Sequence, residues 1–123
     1  MTNRKFLIIE KNLIKAMRLK KVLKDAGSQT IGIATDYVTS MLLIKKQTPD
    51  VVFVNPNLTL EAEGLGVVKE IKSLIDCDFH IFKSDLSDVL RERFSSVISY
   101  PFIEESNDKC LIDAMQQPES SFN

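Results

Sequence analysis

The sequence is poor in the residues on which small cross-linked or metal-stabilised domains depend. It has two cysteines, Cys77 and Cys110, and one histidine among 123 residues. A disulfide scaffold or a zinc site needs more of these side chains at closer spacing. We therefore expect reduced thiols, no metal site and no cofactor.

Long apolar runs are absent as well. The longest contain four residues and lie at positions 6–9, 41–44 and 51–54, whereas a helix that spans a bilayer needs about 20 apolar residues. The N-terminus also lacks an apolar stretch long enough for a signal peptide. These absences predict a cytoplasmic protein with no membrane insertion.

The net charge of −1 conceals an asymmetry along the chain. Residues 1–50 carry ten Lys or Arg and four Asp or Glu, whereas residues 51–123 carry six Lys or Arg and thirteen Asp or Glu. Such a division is typical either of a charged partner surface or of two solvated faces of opposite sign. The sequence alone leaves both interpretations open.

Short apolar segments alternate with segments of helical periodicity along the chain. The first helix is predicted to bury an apolar stripe that includes Leu13 and Met17, and the second a stripe that includes Val38 and Leu42. Gly27 is predicted to end the first helix. The predicted strands cover residues 6–9, 30–34, 51–54, 80–82 and 97–100, and the predicted helices cover 12–26, 36–46, 64–74, 86–94 and 106–117.

Strands that alternate with helices require crossover connections and a parallel sheet. The pattern predicts an α/β, flavodoxin-like fold, a (βα)5 three-layer sandwich with strand order 2-1-3-4-5. We place this domain at residues 1–117 and expect a polar tail or linker stub at 118–123. Sites in such sheets lie at the carboxyl ends of the strands, where the chain has Glu10, Lys11 and Asn55, with Lys83, Ser84 and Tyr100 nearby.

Three stretches of the chain carry a resemblance to a known family. They are Lys5–Lys11, Pro49–Asn57 and Val97–Phe102, and Gly64 adds a glycine at the start of the third helix. In order and spacing, the chain from Phe6 to Met115 resembles the receiver domain of two-component response regulators, the CheY-like superfamily. The resemblance implies a signalling domain of the fold given above, with a shortened fourth helix.

The resemblance also implies the positions of a phosphorylation site. In the family, an aspartate after the third strand accepts a phosphoryl group, an acidic pair after the first strand holds magnesium, and a Thr or Ser and a Lys contact the phosphoryl oxygens. This chain departs at every position. Asn55 stands at the acceptor position, and Glu10 and Lys11 stand at the positions of the acidic pair. Lys83 or Ser84 falls at the Thr or Ser position, and Tyr100 replaces the Lys. An amide is a poor nucleophile, so the pattern predicts a pseudo-receiver that takes neither phosphate nor magnesium.

Three smaller expectations follow for individual side chains. Val97 falls about where the family carries a conformational-switch aromatic. A buried Glu10 without a counter-ion would be costly, so we expect the ammonium group of Lys83 or Lys11 to bond to Glu10 and to the side-chain oxygen of Asn55. His80 is expected to be a packed strand residue rather than a ligand.

A pseudo-receiver would not be an enzyme and would act by binding a partner protein. We expect an acidic partner on the basic face of the first helix, which consists of Lys15, Arg18, Lys20, Lys21 and Lys24. A nucleic-acid-associated module that uses the same face is the alternative, although the face lacks interleaved aromatics or glycines. A small-ligand or enzyme domain would need a glycine-rich phosphate loop or a nucleophile–base pair, and the sequence has neither. The sequence leaves open whether the protein forms a homodimer.

Overall fold

Strands and helices alternate through the chain, as the periodicity predicts. The computed structural model describes residues 4–55, 61–83, 86–97, 102–104 and 106–116. The strands are β1 Lys5–Ile9, β2 Gln29–Ala34, β3 Val51–Val54, β4 Asp78–Phe82 and β5 Phe102–Ile103. The helices are α1 Leu13–Asp25, α2 Tyr37–Lys46, α3 Glu61–Leu74, α4 Asp88–Ser95 and α5 Asp108–Gln116.

The strands form one parallel sheet with the order β2-β1-β3-β4-β5. This order confirms the predicted flavodoxin-like topology. β3 lies at the centre of the sheet, and all four of its residues are fully buried. Helices cover both faces of the sheet, which explains why the sequence of β3 is apolar without interruption.

A separate apolar core lies on each face of the sheet. One face carries Phe6, Ile8, Phe53 and Phe82 and packs against α1 and α5. The ring of Phe53 lies 6.4 Å from that of Phe6 and 6.2 Å from that of Phe82. The opposite face packs against α2, α3 and α4.

The edge strand β2 contains a bulge. Phe6 pairs with Thr30 and Leu7 pairs with Gly32, so the register shifts by one residue at Ile31. Gly32 has a φ of +146°, and its N–H donates to Thr30 Oγ1 at 3.0 Å. A bulge twists an edge strand and interrupts its row of backbone groups. This edge is therefore poorly suited to pairing with another strand.

Side chains cap the starts of the first two helices. Asn12 Oδ1 accepts from the N–H of Lys15 at 3.1 Å, and Asp36 Oδ1 accepts from the N–H of Thr39 at 2.8 Å. The hydrogen bond from Thr39 lowers the pKa of the Asp36 carboxyl. Gly27, with a φ of 98°, follows the end of α1 as predicted.

Two helices expose apolar side chains that the predicted stripes placed inside. Leu13 and Met17 of α1, and Val38 and Leu42 of α2, are each more than half exposed. At about 100° per residue, the predicted stripe of α1 covers a wider arc than the sheet can bury. The face of α1 that is buried against the sheet is narrower and consists of Ala16, Leu19 and Leu23.

The fifth strand differs from the prediction. Val97 lies in the turn after α4, and β5 begins at Phe102, which pairs with Ile81 of β4. The described pairing with β4 lies at 102–103, where Lys83 N–H donates to the carbonyl of Ile103 at 3.1 Å. Residues 98–101 lie outside the described residues.

The last helix begins later than expected. Asn107 caps α5, since its Oδ1 accepts from the N–H of Cys110 at 3.1 Å. Residue 117 and the expected tail at 118–123 lie outside the described residues. None of the helices in the described part of the chain has the length and apolar character of a membrane span.

Arg4 joins three elements at the amino ends of the strands. Its guanidinium forms an ion pair with Asp78 of β4, and both side chains are less than one-fifth exposed. The same group donates to the carbonyl of Met115 in α5 at 3.0 Å. Arg4 therefore connects the start of β1 to β4 and to the last turn of α5.

Candidate functional site

The carboxyl edge of the sheet brings Glu10 and Asn55 together. β1 and β3 are neighbouring parallel strands whose last residues, Ile9 and Val54, are register partners, so the residues that follow them are adjacent. The N–H of Asn55 donates to the carbonyl of Ile9 at 2.9 Å, which fixes its backbone beside β1. Both side chains are buried, with 1% of Glu10 and 5% of Asn55 exposed.

Neutral hydrogen-bond donors surround the carboxylate of Glu10. Asn55 Nδ2 donates to Oε1 at 2.8 Å and to Oε2 at 3.0 Å. The N–H of Asn12 donates to Oε2 at 3.2 Å. A buried carboxylate is costly unless such bonds replace its hydration. The amide of Asn55 and the backbone ahead of α1 together provide this compensation.

The predicted ion pair at Glu10 is wrong. Lys83 Nζ lies 3.4 Å from Glu104 Oε1 and pairs with that carboxylate instead. Lys11 is exposed, and no ion pair of Glu10 is found within the described part of the chain. The reason lies in the register of β5, because Lys83 is bonded to Ile103 and therefore lies beside Glu104, the residue that follows it.

Two further positions of the expected pocket, Ser84 and Tyr100, lie outside the described residues. β5 ends at Ile103, so the residue that follows this strand is Glu104. Val97 is not a strand residue, so it does not stand at the expected switch position.

The basic face of the first helix divides into smaller groups. Lys15 and Arg18 line a cleft of about 260 Å³ between α1 and the segment ahead of α5, together with Leu19 and Ser106. Arg18 also forms an ion pair of 2.8 Å with Asp108 across this cleft.

The other three cations of α1 lie away from the cleft. Lys21 pairs with Asp25 one turn on at 2.9 Å, and this hydrogen bond raises the pKa of the Lys21 ammonium. Lys20 is half-buried, and Lys24 is exposed in the last turn. The predicted face is therefore not one continuous cationic surface.

The sequence interpretation missed an exposed apolar ridge on α1. It consists of Leu13, Ile14 and Met17, which are 53%, 83% and 58% exposed. We call these three residues the α1 ridge. Their apolar character is visible in the sequence, but their exposure depends on which side of the helix faces the sheet.

His80 is a packed strand residue, as predicted. Its ring is 5% exposed and stacks on the ring of Phe53 at a centroid distance of 5.6 Å. Neither ring nitrogen has a hydrogen-bond partner among the described residues. Burial lowers the pKa of His80 to about 4, and the smaller effect of Asp78 acts in the opposite direction.

Comparison with solved structures relates this architecture to known proteins. The chain is similar to the signal receiver domain of modulated diguanylate cyclase from Desulfovibrio desulfuricans G20, with a TM-score of 0.79 and 14% sequence identity. The match covers 93% of this chain and 94% of that domain. It is also similar to a CheY-like response regulator receiver domain from Methylobacillus flagellatus, with a TM-score of 0.73 and 22% sequence identity. That match covers 94% of this chain and 98% of the other. The chain has the receiver fold.

A longer receiver protein matches over part of its length. The response regulator PhyR from Brucella abortus aligns with a TM-score of 0.72 and 18% identity, and the match covers 90% of this chain and 45% of PhyR. This chain therefore spans less than half of that protein. No protein-family model matches the sequence, and no curated protein matches it.

The receiver fold raises the question of magnesium, and the residues that the structure describes at this edge do not fit this ion. Magnesium prefers several oxygen ligands, carboxylates among them, in octahedral geometry. Both oxygens of Glu10 already accept hydrogen bonds, and the next residue is a lysine. Among the described residues, no three His, Cys, Asp or Glu side chains group in a way that could hold a metal.

Proposed function

We propose that this chain is a receiver-like signalling domain that works without phosphorylation and acts by binding a partner protein. The observation that carries the proposal is the pair of hydrogen bonds from Asn55 to both carboxylate oxygens of Glu10. Phosphoryl transfer to a side chain requires a nucleophilic oxygen at the acceptor position. The acceptor position holds a neutral amide, and the nearest carboxylate is occupied by it.

This hydrogen-bonded pair favours a single state of the sheet edge. In a phosphorylation cycle, the charge at this edge would change each time a phosphoryl group is added or removed. The Glu10–Asn55 pair has no such change, because its bonds are internal and both side chains are buried. We infer that the domain presents its binding surface constitutively.

The α1 ridge and the cations beside it are the surface we assign to the partner. Protein interfaces combine an apolar centre with a polar rim, and Ile14 is the most exposed of the large apolar side chains described. Lys15 and Arg18 lie on one flank of α1, at the cleft toward α5. α1 has five cations and a single acid, Asp25, so the matching partner surface is acidic at its rim.

Phosphoryl transfer is tested directly by mass spectrometry. After incubation with magnesium and acetyl phosphate or phosphoramidate, we expect no added phosphoryl mass. Asn55→Asp alone is also expected to remain unmodified, because Lys11 still occupies the place of the second acid. An alkali-labile adduct on the wild-type chain, mapped to the segment after β3, would contradict the proposal.

Partner binding is tested with a matched pair of variants. Ile14→Glu places a charge on the α1 ridge, whereas Leu74→Glu places one on an exposed leucine of α3. We expect the wild type and Leu74→Glu to retain the same protein partner and Ile14→Glu to lose it. Retention should be equal with and without a phosphoryl donor. A partner that binds only after addition of the donor would refute phosphorylation independence.

Nucleic acid is the second candidate partner, since α1 is rich in cations. It is favoured less because apolar side chains, rather than aromatic stacking groups, lie between the cations. Fluorescence anisotropy with a random duplex distinguishes the two candidates. Affinity that falls steeply as salt rises, and that is unchanged in Ile14→Glu, would favour nucleic acid.

A further inference from the structure

α2 carries an apolar face on the opposite side of the sheet from α1. Val38 and Leu42 are 64% and 56% exposed, and Tyr37 is 41% exposed. Met41 lies between them and is half-buried. At about 100° per residue, these four side chains fall within an arc of about 140°. We call them the α2 face.

The charges around the α2 face are opposite at its two ends. Asp36 caps the start of the helix, and Lys45 and Lys46 lie in its last turn. α1 differs in this respect, because its cations run along its whole length. Two copies of α1 placed side by side would repel each other, whereas two antiparallel copies of α2 would bring unlike charges together.

We propose that the α2 face is a self-association surface, on which α2 of one copy packs antiparallel against α2 of a second copy. A two-fold axis relates the copies, so each contributes the same surface. Leu42 of each copy lies near the axis against Met41 of the other. The Asp36 carboxylate of one copy then lies beside Lys45 and Lys46 of the second copy. The opposed helix dipoles add to this preference.

The bulge in β2 supports contact through helices rather than strands. β2 is the edge strand next to α2, and an edge can associate by adding a strand from another chain. The register shift at Ile31 and the φ of Gly32 interrupt this edge. We therefore expect two copies to associate on this side of the molecule through the α2 face rather than through β2.

The size of the α2 face sets the strength of the contact. A stable interface buries about 800 Å² on each partner, and four side chains of one short helix provide much less. We therefore expect a weak, reversible dimer that forms at high protein concentration. An obligate dimer would require additional surface.

Sedimentation equilibrium of the whole chain tests the proposal over concentrations from about 10 µM to about 1 mM. The wild type should be monomeric at the low end and substantially dimeric at the high end. Leu42→Glu should remain monomeric throughout, and Val38→Glu provides a second variant at an exposed site. Leu74→Glu is the matched control, because Leu74 is also 56% exposed but lies in α3, and it should dimerise like the wild type.

The antiparallel arrangement has its own test. Asp36→Asn removes the charge and keeps a good N-cap, and it should weaken dimerisation about 2- to 5-fold. Replacing Lys45 and Lys46 by glutamine should weaken dimerisation by a similar factor. Because the charges interact, the effect of both changes together should be smaller than the two separate effects combined. In a parallel pair the two Asp36 carboxylates would meet, so Asp36→Asn would strengthen the dimer.

Three results would overturn the proposal. The first is a wild-type chain that is monomeric at about 1 mM. The second is a Leu42→Glu variant that is folded and dimerises like the wild type. The third is a dimer that is lost in Ile14→Glu and kept in Leu42→Glu, because self-association would then use the α1 ridge.

Discussion

His80 makes the stability of this protein sensitive to mild acid. Its ring is buried against Phe53 in β4, and neither nitrogen has a hydrogen-bond partner in the described part of the structure. Burial lowers its pKa from 6.5 to about 4, Asp78 opposes this shift, and Arg4 adds a small contribution in the same direction as burial. The imidazole is therefore held neutral in the folded protein at pH values at which the unfolded chain is already protonated.

The sign and size of the effect follow from this difference. Above pH 6.5 His80 is neutral in both the folded and the unfolded protein, so its titration does not reduce the stability. Below it the unfolded chain binds the proton first, so stability is lost as the pH falls from 6.5 towards 4. The fall in the pKa of His80 from 6.5 to about 4 corresponds to about 3 kcal/mol of stability, of which about 2 kcal/mol is lost by about pH 5. Domains of this size have only about 5–15 kcal/mol in total.

The assay is urea unfolding at a series of pH values, performed on the wild type and on His80→Leu. Contributions from other titrating groups cancel in the difference between the two proteins. We expect that difference to change by about 2 kcal/mol between about pH 7 and about pH 5, in favour of the variant at low pH. His80→Gln, which is polar but does not titrate in this range, should show the same pH dependence as His80→Leu.

A direct measurement is also available because the chain has one histidine. Its imidazole proton signals can be followed in an NMR titration without assignment of other histidines. A ring that titrates near its ordinary pKa in the folded protein would refute the reasoning. Parallel stability curves for the wild type and His80→Leu would refute it as well.

Three other substitutions test the sheet edge and the two glycines with positive φ. Asn55→Asp places a second buried carboxylate beside Glu10, where the amide nitrogen now lies 2.8 Å from Oε1. The variant should be about 3 kcal/mol less stable than the wild type at neutral pH. The two carboxyl groups would share a proton with a raised pKa, so this loss of stability should become smaller as the pH falls. Equal stability of the two proteins at pH 7 would contradict this. Gly32→Ala should cost about 1–2 kcal/mol, because a Cβ there would lie 3.0 Å from Leu43 Cδ1 at a φ of +146°. Gly27→Ala, with a φ of +98° and open space around it, should cost less in the same thermal unfolding experiment, and a reversed order would contradict the steric argument.

The topology could be predicted because its determinants are local. Val51–Val54 is apolar at every position, which is typical of a central strand in a sheet covered on both faces. Asn12 and Asp36 cap helices through bonds to residues three positions on, so their roles are readable from the sequence. The adjacency of Glu10 and Asn55 followed directly from the strand order.

The errors arose where a long-range contact decides between local alternatives. The prediction ended the fifth strand at Tyr100, but Phe102 pairs with Ile81 of β4, and no local pattern specifies that contact. The same pairing places Glu104 next to Lys83, whose ammonium was expected at Glu10. The orientations of α1 and α2 could not be read from the sequence either, because a helical period specifies spacing and not which face meets the sheet.

The contacts of Arg4 bear on how this protein folds. The hydrogen bond to Met115 joins positions 4 and 115, so forming it closes a loop that spans most of the chain, which is entropically costly. Until α5 docks, one part of the cover over Phe53 and Phe82 is missing, and these aromatic side chains are open to contact with other chains. We therefore expect a chain whose α5 has not docked to be more prone to aggregate than the native protein. Substitutions at Arg4 remove its bonds to Asp78 and Met115 and should weaken the docking of α5.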